Sequence, residues 1–106
     1  MTESLPSHCL SITNDFISDQ LAQWFASLEK SDKKFLAEYN AKVKNPIDLS
    51  TIKKKIKDNL YSSYQEWIDD MNLVFDNAVT FHEATSLFGG VAIYLKKQFN
   101  KKLLNF

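Results

Sequence analysis

Residues 63–82 read SYQEWIDDMNLVFDNAVTFH, and this stretch decides the fold. Ser63 followed three residues later by Glu66 matches a capping box, in which each side chain satisfies the other residue's free backbone amide at a helix start. Beyond it Trp67, Met71, Val74, Phe75 and Ala78 recur at spacings of three and four, the period of one helix face. Extending the stripe by a turn brings Phe81 and His82 to the helix end, with His82 on the inward side.

Upstream, Pro46 disfavours helix at Asn45, and Asp48 is placed to cap a short helix with Leu49, Ile52, Ile56 and Leu60 on one face. Further back, Ile17, Leu21, Trp24, Phe25 and Leu28 predict a helix from Thr13 to about Ser31, capped by Thr13 or Asn14. Between Ser31 and Pro46 the period breaks into a lysine-rich connection containing Phe35, Leu36, Tyr39 and Val43, read as an ordered loop. Downstream, the adjacent Gly89 and Gly90 place a loop over 83–90, since glycine costs about 1 kcal/mol against alanine inside a helix. Val91, Ala92, Leu95, Phe99 and Leu103 then form the inward stripe of a last helix, whose outer face carries Lys96, Lys97, Lys101 and Lys102. Four helices result, with no internal repeat.

The 106 residues suit one domain, and two glycines and two prolines are too few for a turn-rich β protein. Residues 1–9 read as a disordered lead-in without the pattern of a signal peptide, and 10–106 as the bundle. The single Cys9 cannot form an internal disulfide, and no apolar run reaches the length of a membrane span, so a soluble intracellular chain is expected. Thirteen basic residues balance thirteen acidic ones, and every basic one is lysine. Without a net field or the planar fork of arginine, the lysines at 53, 54, 55, 57, 96, 97, 101 and 102 read as solvated faces, so direct nucleic-acid binding is disfavoured. No metal-spaced cluster, phosphate loop or catalytic pairing is present in the sequence, which argues against an enzyme and implies no cofactor.

Asn45 to Ile56, NPIDLSTIKKKI, resembles the signature of the bromodomain family at the end of its first loop and the start of its second helix. Tyr61, Trp67, Asp70 and the run FDNAVTFH over 75–82 resemble that family's third helix and its exit, and Ala92 and Phe99 continue the register. The resemblance runs from Tyr39 to about Leu103, and more loosely over the first helix. It implies an all-α, left-handed four-helix bundle that binds acetyl-lysine between its first and last loops, on acetylated histone or other chromatin protein tails, in a nuclear complex that regulates transcription. The family supplies an asparagine donor at the end of the third helix and a tyrosine acting through water. Tyr39 matches the tyrosine, while His82 stands at the asparagine position and Phe81 replaces the tyrosine before it.

A neutral imidazole retains one N–H, so His82 reads either as the substitute donor or as a helix-end histidine satisfied within the fold. The Trp-Pro-Phe shelf is absent. Phe35, on a long first loop shortened by several residues, is preferred to Phe25 as the shelf-like residue. Val43, Ala78 and Phe81 line the site by the same resemblance, Phe88 takes the gatekeeper place, and Asn77 holds the first loop. Glu38 and Glu83 flank the site, which suits a lysine-rich tail. The alternative reading is a bromodomain-like structural or protein-protein interaction domain that has lost acetyl-lysine binding.

Overall fold

The computed structural model describes residues 4–18, 33–82 and 86–104. These form five helices: α1 (Ser4–Ser18), α2 (Lys33–Lys42), α3 (Leu49–Lys57), α4 (Tyr64–His82) and α5 (Leu87–Leu103). The architecture is the all-helical bundle expected, in which α4 packs along α5 and also meets α3 and α2, while α1 packs on α3.

The centre is aromatic. Trp67 and Phe75 of α4, Phe99 of α5 and Phe16 of α1 are buried, and their rings meet at centroid distances of 5.3 Å for Trp67–Phe99 and 5.6 Å for Phe16–Phe75. Such tilted and edge-on pairs match the ring quadrupoles and add to the burial of large apolar area. Leu49, Ile52 and Ile56 of α3, with Ala92 and Leu95 of α5, are buried at positions of the predicted stripes.

The helix starts explain the register of α3 and α4. Asp48 Oδ1 accepts from the Thr51 amide at 2.7 Å, the expected cap. Ser63 and Glu66 form the capping box reciprocally: Ser63 Oγ accepts from the Glu66 amide and Glu66 Oε2 from the Ser63 amide, each at 3.3 Å. Lys55 and Tyr61 both bond Asp70 Oδ2, at 2.7 and 2.6 Å, which ties the end of α3 to the first half of α4.

Several expectations need correction. The predicted lead-in is helical from Ser4, and Cys9 is wholly buried in the core. Pro6 falls in the opening turn, where an amide has no carbonyl partner within the helix, so it does not break α1. Thr13 is therefore no cap. It lies inside α1, fully buried, with Oγ1 donating to the Cys9 carbonyl at 2.7 Å and accepting from Trp67 Nε1 at 3.1 Å. The remainder of the predicted first helix, with Leu21, Trp24, Phe25 and Leu28, lies outside the described residues.

The connection read as a loop over 31–46 contains α2; Tyr39 on it and Val43, one turn later and just past its end, are both buried. Leu60 is 62% exposed instead of ending the α3 stripe. Asn59 turns left-handed at φ 57°, the Leu60 amide reaches back to the Lys55 carbonyl at 2.9 Å, and the Asn59 amide to that of Ile56 at 3.1 Å. This Schellman closure swings Leu60 off the helix face. The last helix begins at Leu87 rather than Val91. Ser86 caps it by accepting from the Gly89 amide at 3.1 Å, so both glycines sit in the opening turns, where the cap offsets their cost.

Candidate functional site

The last turn of α4 and the C-terminal half of α2 meet at one end of the bundle. Ala78, Phe81 and His82 share a face of α4 at spacings of three and four, and Ala78 is buried beneath the other two. From α2, Tyr39 enters with only 5% of its surface exposed and lays its ring against Phe81, centroids 5.1 Å apart. Phe81 in turn meets His82 edge-on at 4.8 Å, so Tyr39, Phe81 and His82 form a continuous ring chain across the two helices. Val43, also buried, donates its amide to the Tyr39 carbonyl at 2.9 Å and closes the end of α2.

Asn77 holds this arrangement in place. Its Nδ2 donates to the Asn45 carbonyl at 2.8 Å, pinning the segment between α2 and α3 to α4. The Asn45 carbonyl, which lies between the two helices and has no ladder of its own, thereby gains a partner.

Burial pushes the Tyr39 phenol up to about 12, and the nearby Asp48 carboxylate adds to the rise. Tyr39 is thus a neutral hydroxyl near pH 7, able both to donate and to accept. His82 is half-buried, and desolvation lowers its pKa below the ordinary 6.5. Its imidazole is therefore neutral at pH 7, with one N–H and one acceptor nitrogen.

The structure thus joins Tyr39, Phe81 and His82 through ring contacts, with the buried Ala78 on the same face of α4 and the buried Val43 one turn after Tyr39. Phe35 lies on α2 one turn before Tyr39, and Phe88 in the first turn of α5, but neither side chain is among those described. Glu38 projects from α2 as an exposed residue, while Glu83 lies outside the described residues. Sequence reasoning missed Lys42, whose Nζ stands 5.4 Å from the Phe81 ring centroid and puts a cation beside the site. Reading α2 as a helix would have placed Lys42 beside Tyr39, three residues on. Among the described residues no group of three or more side chains is arranged to hold a metal, and no helix is long and apolar enough to cross a membrane.

The sequence profile of the bromodomain family matches residues 9–89. The SWR1 complex bromodomain subunit bdf1 of Schizosaccharomyces pombe is 34% identical over 96 residues, which cover 91% of this chain and 17% of that protein. The chromatin structure-remodeling complex subunit rsc1 of the same yeast is 35% identical over 75 residues, covering 70% of this chain and 9% of that protein. The nucleosome-remodeling factor subunit NURF301 of Drosophila melanogaster is 33% identical over 79 residues, covering 74% and 3%. This chain therefore spans 17% or less of the length of these three relatives. Among solved structures, the bromodomain from human BAZ1A shares the fold at a TM-score of 0.84, with 21% identity over 93% of this chain and 91% of that one. From its helical bundle, its family profile and these relatives, the chain belongs to the bromodomain family, a family of acetyl-lysine reader modules.

Proposed function

We propose that this chain recognises acetyl-lysine on histone tails or on other acetylated chromatin proteins, as a binding module rather than an enzyme. The observation that carries the reading is the ring chain of Tyr39, Phe81 and His82, joined across α2 and α4 and steadied by the Asn77 bond to Asn45. Acetylation removes the lysine charge and leaves a neutral amide. Such a group enters an aromatic site at small cost provided its carbonyl finds a donor, whereas an ammonium would lose its hydration. The neutral His82 imidazole supplies one N–H at the end of α4, in the place of the family asparagine. Tyr39, kept protonated by its burial, orients a water that completes the carbonyl's hydrogen bonds. Val43 and Ala78 form the floor, Phe81 the wall, and Phe35 and Phe88 the shelf and gate. Departure from the family's asparagine and shelf makes the binding weak or unusual in selectivity. The relatives are named as subunits of the SWR1 complex, of a chromatin structure-remodeling complex and of a nucleosome-remodeling factor. Other subunits of such a complex are accordingly the proposed partners, and the nucleus the place of action.

A second reading has an observation of its own. Phe81 already packs against both Tyr39 and His82, with Lys42 above its ring, and an aromatic side chain there can fill the space that an acetyl group would take. On that reading the bundle is a structural or protein-interaction domain.

The experiment is an amide-shift NMR titration of the chain with acetylated and unmodified histone-tail peptides. Shifts at Tyr39 and His82 that require the acetyl group support recognition. Equal shifts with both peptides, or none, favour the second reading.

A further inference from the structure

The outer face of α5 is left largely uncovered by the other described residues. Residues 87, 90, 94, 97, 101 and 104 fall within about 100° of one another around the helix axis, a single stripe along its length. Leu87 is 78% exposed on that stripe, Tyr94 51% and Leu104, at the C-cap, 85%; these are three of the four exposed large hydrophobic residues described. Isolated exposed leucines are ordinary, but three on one helix stripe are a patch. Between Leu87 and Tyr94 lies the exposed Gly90, where an added Cβ would meet nothing within 4 Å and the backbone keeps an ordinary negative φ. Nothing inside the fold requires a glycine there, and its missing side chain leaves a notch between two apolar ones.

Charge on the same helix is sorted. The segment Leu87–Leu103 holds four lysines and no acidic residue. On the flanks, Lys96 bonds Asp76 at 2.7 Å and Lys102 lies 3.9 Å from Asp15. Lys97 and Lys101, which lie on the stripe itself, are exposed and have no carboxylate within ion-pair distance among the described residues. Apolar side chains at both ends of the stripe, a notch near its start and two unmatched ammonium groups in its second half call for an acidic partner.

We propose that the outer face of α5 docks an acidic segment of a partner protein that seats an apolar side chain in the Gly90 notch and sets carboxylates against Lys97 and Lys101. Nucleic acid fits less well, because four of the six stripe positions are apolar or notched and no arginine is present to grip phosphate. This surface does not depend on acetyl-lysine recognition and uses no residue of that site.

The test is an NMR titration of the isotope-labelled chain with three probes: a synthetic amphipathic peptide helix with a leucine face bordered by glutamates, the same peptide with lysines replacing the glutamates, and a short DNA duplex. The glutamate peptide is expected to shift Leu87, Gly90, Tyr94, Lys97 and Lys101, and to do so less as salt rises. The double variant Lys97→Glu/Lys101→Glu should bind it about 10-fold more weakly or worse, since like charges then face each other. Filling the notch with Gly90→Gln should also weaken it. All these positions are exposed, so the variants fold. The proposal is overturned if the lysine peptide binds as well, if the duplex shifts this face at lower concentration than the glutamate peptide does, if Tyr94→Ser abolishes a self-association that occupies the face, or if no probe shifts it.

Discussion

Replacing Thr13 by valine keeps the shape and β-branching of the side chain and removes only its hydroxyl. In the structure that hydroxyl accepts from the Trp67 indole at 3.1 Å, at a point where both residues are fully buried. The Cys9 carbonyl loses a second hydrogen bond but, being inside α1, keeps its helical one. The indole N–H is left with no acceptor, and a buried donor stranded this way costs about 1–3 kcal/mol. For a domain of this size each 1 kcal/mol lowers Tm by about 4–8 °C, so a fall of roughly 5–20 °C is expected in thermal unfolding. A double-mutant cycle separates this from general loosening of the core. With Trp67→Phe already in place no indole remains to be stranded, and Thr13→Val should then cost about 1 kcal/mol less, or more than that less. If Thr13→Val is neutral, or costs the same in both backgrounds, the placement of α1 against α4 through this bond is wrong.

Two further outcomes bear on the frame of the site. Asp48→Ala removes the cap that accepts from the Thr51 amide and should cost about 0.5–2 kcal/mol in urea unfolding, with Asp48→Asn losing less. Burial pushes the Cys9 thiol from an ordinary 9.0 up to about 11 and the Tyr39 phenol from 10.0 up to about 12. Both folded values lie above the unfolded ones, so the folded state holds these protons longer. The stability they contribute is intact below pH 9.0 and is lost as pH rises toward 12. Urea unfolding below pH 9.0 and near pH 11 should show this fall, and Cys9→Ala should reduce it. A stability unchanged across that window would contradict the burial of both groups.

What the sequence made legible was local and periodic. The capping box of Ser63 and Glu66, the Asp48 cap and the Trp67–Ala78 stripe each follow from short-range rules that tertiary packing then reinforces, and α3 and α4 carry them intact. The helix α2 is not legible, because a lysine-rich segment of ten residues is marginal alone and is held by packing of Tyr39 on Phe81 of α4. The same holds at Ser4: a polar opening with a proline gives no stripe, and only Cys9, Thr13 and Phe16 meeting the core reveal the helix. The paired glycines do not delay the last helix, because the Ser86 cap offsets their cost, and that cap depends on a turn the local pattern does not show. For the site, the register of Tyr39, Asn77 and His82 could be read from the family resemblance. That Phe81 would bridge Tyr39 and His82, and that Lys42 would stand over it, depended on the helical turn of α2.

The central claim is that His82 anchors the acetyl group, and the direct measurement is the affinity of wild type, His82→Ala, His82→Asn and His82→Phe for one acetylated histone-tail peptide, each variant first shown to be folded by thermal unfolding. Loss of the imidazole donor should cost about 1–3 kcal/mol. His82→Ala should accordingly bind about 5- to 150-fold more weakly, and His82→Phe no better. His82→Asn, which restores an amide donor at the same position, should match or exceed wild type. Equal affinity across all four proteins would contradict the account, and absence of binding by both wild type and His82→Asn would contradict acetyl-lysine recognition itself.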